Sequence, residues 1–200
     1  PAHRYVEADG SVVELHEWRA VWGEIISKAG QLTTFSRSSA SIVEAAWPAY
    51  RNRIKIIPHQ LPFNVPALIA HSDEPVIGVL GNISRAKGAD VLVRLSEVLA
   101  DRQVGRLILI GNIEPGYRLT KPSIVLGGYK LNQLSGLVSR HGITRWFFPS
   151  IWPETFSYAV HEMIATGLPV WSFDIGAQSD AVKSAYQRGQ GGGTLPLNKG

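Results

Sequence analysis

A regular alternation of apolar and helical segments after Pro75 constrains the fold of this sequence more than any other feature. The apolar run from Val76 to Leu80, bounded by Gly81, is typical of a strand buried on both faces of a parallel sheet. Strands that alternate with helices require crossover connections, so the sequence predicts an α/β fold with a parallel sheet flanked by helices. Strands are predicted at 76–80, 106–110, 123–126, 145–148 and 169–173, helices at 89–100, 132–141, 157–166 and 177–187, and a final edge strand at 194–197.

The first part of the chain carries a different pattern. Apolar side chains at 15–29 recur at helical spacing and predict an amphipathic helix. Two short strands are predicted at 31–36 and 53–57, separated by a helix at 42–50 whose N-cap is expected among the serines at 38–41. This part of the chain is therefore predicted to form a structural unit of its own.

The stretch from Pro58 to Pro75 contains four prolines and little periodicity, a composition that is typical of a linker. The sequence thus predicts three parts, with one unit at 1–57, a linker at 58–75 and the sheet domain at 76–200. The chain begins with Pro1 and shows no basic and apolar leader, which favours a fragment of a longer protein.

The charge of the chain is unevenly distributed. The formal net charge is +4, and residues 76–200 carry thirteen Lys/Arg against eight Asp/Glu, a local excess near +5. Such an excess favours an anionic ligand such as a diphosphate, although it also fits a mildly basic solvated surface. The basic residues are scattered rather than clustered among aromatic side chains, which argues against a nucleic-acid partner.

Composition excludes several other classes of protein. The chain has no cysteine, so disulfides and thiolate metal sites are excluded, and a cytoplasmic setting fits. It has no run of 18 apolar residues that could span a bilayer. Metal-binding spacings such as Asp-x-Asp or His-Glu-x-x-His are missing, and no metal site is expected.

The first candidate site is the segment from Gly81 to Gly88, which follows a strand and opens a helix. Gly81 permits close backbone approach, a helix N-terminus offers N–H groups, and Arg85 and Lys87 add positive charge, which together suit a diphosphate. Asn82 lies in the same turn. The segment is neither a Walker sequence nor a GxGxxG fingerprint, and it equally fits an ordinary strand-to-helix turn.

The second candidate is the run Gly127-Gly128-Tyr129 at the end of another predicted strand. Two glycines would allow a flat base to lie against the backbone. A simple turn is the more ordinary explanation of the same residues.

The third candidate is a pair of carboxylates eight residues apart, Glu154 and Glu162. Pro153 keeps the preceding residue extended, so Glu154 is expected in a loop above the sheet edge. The N–H groups of residues 155–157 would begin a helix and point toward a nearby anion. Glu162 lies within that helix, where it could accept hydrogen bonds from a diol such as a ribose.

The histidines are weaker candidates. His161, between a valine and Glu162, is expected on the helix surface rather than in catalysis. His59 follows Pro58 at the linker and could face a cleft, although a structural role is the more ordinary one.

The two carboxylates and the residues around them resemble a known signature. Glu154-x7-Glu162, preceded by Pro149-Ser150 and followed by Gly167-Leu-Pro-Val, is similar to the Glu-x7-Glu signature of the retaining GT-B glycosyltransferases of family 4. The resemblance covers about residues 75–198.

This resemblance implies that residues 76–200 are the C-terminal, Rossmann-like half of a GT-B fold, which binds a nucleotide-diphosphate sugar. It extends more loosely to residues 31–59, so that 1–57 would be the end of the N-terminal, acceptor-side domain. Most of that domain is then expected to be missing from this chain, and the fragment alone is expected to transfer little or no sugar.

The resemblance also implies roles for particular residues. Glu154 would be the catalytic carboxylate beside the donor sugar, and Glu162 would bind the ribose hydroxyls. The implied donor-binding residues are Glu162, Lys87, Arg85, Gly81, Asn82, Phe156, Ser157, Thr155, Gly127, Gly128 and Tyr129. The sequence departs from the family pattern at Asn82, where Arg is common, and at Thr155 and Ser157, where the family usually has glycine. Arg85 would have to replace the missing Arg.

In the full-length protein the resemblance implies transfer with retention to a glycan or lipid-linked acceptor, without a metal or other cofactor. It places the protein in the cytoplasm, allows peripheral association with the inner face of the membrane, and suggests polysaccharide biosynthesis. Three alternatives stay open: an inactive nucleotide-sugar-binding or scaffold module, a sugar-nucleotide epimerase, and a nicotinamide-dependent oxidoreductase. The missing GxGxxG fingerprint counts against the last of these.

Overall fold

The computed structural model describes residues 4–61, 67–68 and 74–197. The chain divides into two compact units, Pro1–Pro58 and His59–Gly200. This division falls at the start of the predicted linker, and much of that linker, at 62–66 and 69–73, lies outside the described residues.

The first unit contains four short strands and two helices among its described residues. They are β1 (Arg4–Val6), β2 (Val12–Glu14), α1 (Leu15–Lys28), β3 (Leu32–Thr34), α2 (Arg37–Ala46), a 3-10 helix (Pro48–Arg53) and β4 (Ile54–Ile56). β1 and β2 form an antiparallel hairpin, and β3 pairs with β4 in parallel. The helix predicted at 15–29 and the strands predicted on either side of α2 are therefore present, with slightly shorter bounds. The hairpin was not predicted.

The helix predicted at 42–50 is wrong at both ends. Ser36, rather than a serine at 38–41, is the N-cap of α2, because its hydroxyl accepts a hydrogen bond from the Ser39 N–H at 3.1 Å. The helix ends at Ala46, two residues before Pro48, whose ring and missing N–H cannot continue an α-helix and which instead opens the 3-10 turn.

The second unit is a single parallel sheet with flanking helices. Its elements are β5 (Val76–Leu80), α3 (Ala89–Arg102), β6 (Arg106–Ile110), β7 (Ile124–Val125), α4 (Leu134–His141), β8 (Arg145–Phe148), α5 (Tyr158–Ala165), β9 (Val170–Phe173), α6 (Gly176–Gln187) and β10 (Gly192–Leu195). The six strands lie in the order β10-β9-β8-β5-β6-β7, and every described pairing is parallel. The predicted α/β fold is confirmed.

Side chains that alternate along the strands build two separate cores. Leu80, Ile108 and Ile110 pack with buried residues of α4, α5 and α6. Val79 and Leu107 point to the opposite face and pack with α3, as the two-residue period of a strand requires. Both faces of the sheet are therefore apolar, and its polar chemistry is concentrated in the loops at the strand ends.

The direction in which successive strands are added to the sheet reverses at β5. From β5 the chain continues outward through β6 and β7, and it then returns to place β8 on the other side of β5. In sheets of this kind a crevice opens at such a switch point, outside the carboxyl ends of the strands. The loops after Leu80 and Phe148 border this crevice.

The last edge strand begins earlier than predicted, and the tryptophans differ widely in their burial. β10 begins at Gly192, two residues before the predicted strand at 194–197, because it pairs with β9 from Val170 onward. Of the six tryptophans, Trp146 alone is fully buried, whereas Trp22 is 43% exposed and Trp152 is 63% exposed. Apolar neighbours in sequence do not distinguish a buried aromatic residue from one at the surface.

Candidate functional site

A cleft of about 350 Å³ lies at the switch point of the sheet. It is bordered by the loop after β5, the loop after β8 and the first residues of α5. The residues that line it are His59, Leu80, Gly81, Asn82, Ile83, Lys87, Phe148, Glu154, Thr155, Phe156, Ser157, Tyr158 and Ala159. Seven of the twelve residues predicted from the sequence are among them, drawn from two segments that lie far apart in the chain.

Gly88 brings these two segments together. It has φ of +85°, and a Cβ at this position would lie 2.1 Å from the Pro149 carbonyl oxygen. Only glycine allows the loop after β5 to approach the loop after β8 so closely. The adjacent Lys87 is thereby placed with its Nζ 3.7 Å from Glu154 Oε1.

The Glu154 carboxylate is well shielded from solvent, with its side chain 19% exposed against 47% for Lys87. The hydroxyl of the fully buried Ser150 lies 3.5 Å from the same carboxylate oxygen and donates to the Trp152 carbonyl at 2.9 Å. The base of the cleft therefore holds one cation and one anion within contact distance.

The backbone on either side of Glu154 is held by Gln178, a side chain with no exposed surface. The Glu154 N–H donates to Gln178 Oε1 at 3.0 Å, and Gln178 Nε2 donates to the Trp152 carbonyl at 2.9 Å. Sequence reasoning missed this residue. A glutamine near the start of an amphipathic helix carries no signal that distinguishes it from an exposed one.

Ser157 precedes α5 in a conformation that side chains rarely adopt, with φ of +68° and ψ of 85°. Glycine reaches this region freely, which agrees with the glycine that the related signature usually has here. The first N–H groups of α5, at Tyr158 and Ala159, have no acceptor inside the helix, and both residues line the cleft. The helix thus begins at the wall of the cleft.

Replacing Ser157 with glycine is expected to raise the free energy of unfolding by about 0.5 kcal/mol, because release of the left-handed strain exceeds the added entropy of the unfolded chain. Thermal or urea unfolding measures the change. Ser135→Gly inside α4 is the matched control, and it should lower stability by about 0.5 kcal/mol. Equal destabilisation by both changes would contradict the strain at Ser157.

Four rings form an aromatic cluster at one side of the cleft. His161 stacks on Phe156 with a centroid distance of 4.3 Å and an interplanar angle of 12°. His59 lies nearly perpendicular to Phe156 at a centroid distance of 5.0 Å and stacks on Tyr158 at 5.6 Å. His59 therefore faces the cleft, whereas His161 is partly buried rather than on an open helix surface.

His161 is held in place by its own helix. Its Nδ1 lies 3.0 Å from the Ser157 carbonyl oxygen, which accepts a hydrogen bond from the protonated nitrogen. Burial lowers the pKa of His161, partly opposed by this hydrogen bond. A neutral ring that packs against Phe156 is what this environment favours.

Glu162 and Tyr129 contact each other away from the cleft lining. The Tyr129 hydroxyl donates a short hydrogen bond to Glu162 Oε2. Burial raises the pKa of Glu162, and the hydrogen bond from Tyr129 acts in the opposite direction. Burial and the Glu162 carboxylate both raise the pKa of Tyr129. The structure thus joins two residues that the sequence placed in separate candidate sites.

The remaining predicted residues occupy other positions. Asn82 borders the cleft and accepts a hydrogen bond from Asn112 Nδ2 at 2.9 Å. The Arg85 guanidinium is 81% exposed and lies 3.7 Å from Asp90, and Arg85 does not belong to the residues that line the cleft. Gly127 and Gly128 border a second hollow of about 420 Å³ beside α4.

Within the described ranges, no group of three or more His, Asp or Glu side chains could hold a metal ion. No helix in those ranges is long and apolar enough to cross a membrane.

Comparison with solved structures identifies the fold of the chain. The whole chain aligns with the GtfA/B complex at a TM-score of 0.64 and 16% identity. Anabaena HepE, solved in complex with UDP-glucose, aligns over 90% of the chain at a TM-score of 0.61 and 17% identity. The catalytic domain of Arabidopsis thaliana starch synthase IV, solved with ADP and acarbose, aligns over 86% at a TM-score of 0.56 and 16% identity.

These structures are glycosyltransferases with the GT-B fold, and at such low identity the similarity shows the fold alone. The chain spans 41%, 54% and 44% of the three proteins, about half their length. No protein-family model matches the chain, and no curated protein sequence matches it either.

Proposed function

We propose that this chain is the donor-binding part of a glycosyltransferase and that its cleft binds a nucleoside-diphosphate sugar. The observation that carries the proposal is the meeting of Lys87, Glu154 and the first residues of α5 in one cleft at the switch point of the sheet. A cation and helix N–H groups that have no acceptor inside the helix provide favourable partners for a diphosphate. The matched structures with UDP-glucose or ADP support the same class of ligand.

The resemblance to the GT-B signature and the positions of the residues support the following roles. Lys87 and the N–H groups at the start of α5 would contact the diphosphate and stabilise its charge as it departs. Glu154 would lie beside the transferred sugar, shielded from solvent and held in place by its backbone contacts to Gln178. Glu162 would accept hydrogen bonds from the ribose diol.

The resemblance to the retaining GT-B glycosyltransferases of family 4 also supports a proposal for the activity of the full-length protein. Transfer would proceed with retention and without a metal, to a glycan or lipid-linked acceptor held by an N-terminal domain of which residues 1–57 are the end. The setting would be the cytoplasm, at or near the inner face of the membrane. The 200-residue chain alone is expected to bind donor and to transfer little or no sugar.

Calorimetric titration with UDP, ADP and GDP tests the binding function. We expect at least one of them to bind, and Glu162→Gln to weaken that ligand about tenfold, because the neutral amide is a poorer acceptor for the ribose hydroxyls. Glu97→Gln is the control, since Glu97 forms an exposed ion pair with Arg94 on α3. Absence of binding to all three nucleotides would contradict the proposed function.

A further inference from the structure

Tyr129 and Glu162 are brought together from distant parts of the chain, 33 residues apart in sequence. Tyr129 follows β7, at one edge of the sheet, and Glu162 lies in α5, which connects β8 to β9. Among the described residues, Tyr129 is the hydrogen-bond partner that the structure gives to the Glu162 carboxylate. The contact therefore links the loop after β7 to the helix that borders the cleft.

The backbone and the core hold Tyr129 in this position. Its ring packs against the larger hydrophobic core, together with Leu126 and Leu131. Just before it, the Gly127 N–H donates to the Gly111 carbonyl at 3.0 Å and the Leu126 N–H donates to the Leu109 carbonyl at 2.9 Å. The packed ring and the paired backbone just before it restrict where the hydroxyl lies.

The carboxylate of Glu162 receives no hydrogen bond from its sequence neighbour His161. Its neighbour His161 turns its ring toward Phe156 and the Ser157 carbonyl, so the histidine is engaged elsewhere. A half-buried carboxylate loses hydration and side-chain freedom, and without a hydrogen-bond donor neither loss is compensated. Tyr129 supplies that donor at Oε2. With Oε2 engaged by Tyr129, the second carboxylate oxygen, Oε1, is the one that a ligand would meet.

We infer that Tyr129 is a positioning residue for ribose recognition: by holding Glu162 Oε2, it directs Oε1 toward the vicinal hydroxyls of the bound nucleotide. This inference rests on the proposed function and extends it to a residue that contacts the donor through another. It makes the Tyr129 hydroxyl a determinant of selectivity for a ribose that carries both hydroxyls, over one that lacks them.

Calorimetry on the full 200-residue chain tests this inference with UDP, ADP and GDP and with the 2′,3′-dideoxy form of whichever binds. Wild type should prefer the ribose form, and Tyr129→Phe should weaken the ribose form about tenfold while leaving the dideoxy form within about twofold. Adding Tyr129→Phe to Glu162→Gln should weaken the ribose form no further, because the hydroxyl acts through that carboxylate.

Two further variants separate positioning from folding. Tyr117→Phe removes a hydroxyl from a tyrosine that packs against the other core cluster, and it should leave both affinities unchanged. Tyr129→4-aminophenylalanine keeps the ring and restores a donor, so it should recover most of the preference for the ribose form, and it also serves if Tyr129→Phe fails to fold.

The outcomes distinguish this inference from the function on which it rests. If no nucleotide binds the wild-type chain, both are overturned. If a nucleotide binds but Tyr129→Phe weakens its ribose and dideoxy forms equally, or weakens neither, the positioning role is overturned and the donor-binding function stands. Failure of Tyr129→4-aminophenylalanine to recover the ribose preference would also overturn the positioning role.

Discussion

Replacing Lys87 with alanine is expected to weaken nucleoside-diphosphate binding by about 10- to 100-fold, the range of one charge-assisted hydrogen bond to a phosphate. Lys87 is the lysine that lines the cleft, and Gly88 fixes its backbone against the loop that carries Glu154. Calorimetric titration of the variant at constant ionic strength measures the loss of nucleotide affinity. The salt dependence of binding should also decrease, since one fewer cation contacts the ligand.

Arg85→Ala provides the matched control, because it removes the same charge two residues away. The Arg85 guanidinium is largely exposed and lies near Asp90, so its loss should change affinity by no more than about twofold through the general field of the surface. A loss at Arg85 equal to that at Lys87 would show that Arg85 does replace the family arginine, as the resemblance suggested. It would contradict the arrangement of the cleft described above.

The fold could be predicted from the sequence because its strongest signals are local. The run Val76–Leu80 is apolar throughout, and the alternation that begins there produced each strand of the larger sheet to within two residues. Boundaries that depend on a single side chain could not be predicted in this way. Ser36 caps α2, whereas the serines that follow it in the sequence offered equally plausible caps.

The site could be predicted only in part. Lys87 and Glu154 were both identified by the loops in which they lie, but their contact depends on a backbone approach at Gly88 that no local pattern reveals. Gln178 and the Tyr129–Glu162 hydrogen bond were missed for the same reason, because each joins elements that are distant in sequence. Spacing within one segment identifies candidates, and tertiary contact decides how they act together.

Replacing Gly88 with alanine is expected to lower the free energy of unfolding of the second unit by about 3 kcal/mol or more. The new Cβ would lie 2.1 Å from the Pro149 carbonyl oxygen and 2.8 Å from its carbonyl carbon, and backbone atoms cannot move aside as a flexible side chain can. Separation of the two loops would also pull Lys87 away from Glu154, so nucleotide affinity should fall in whatever fraction remains folded. Urea unfolding followed by tryptophan fluorescence measures the stability, with Trp146 as the buried reporter in this unit.

Gly127→Ala separates the steric cost at Gly88 from the conformational cost. Both glycines have φ of +85°, but a Cβ at Gly127 would meet no atom within 4 Å. Gly127→Ala should therefore cost only about 1 kcal/mol, the strain of a left-handed alanine reduced by the smaller entropy of its unfolded chain. The difference between the two variants is the energy of the contact with Pro149. Equal losses would mean that the loops separate without penalty, and the contact between Lys87 and Glu154 would then need a different cause.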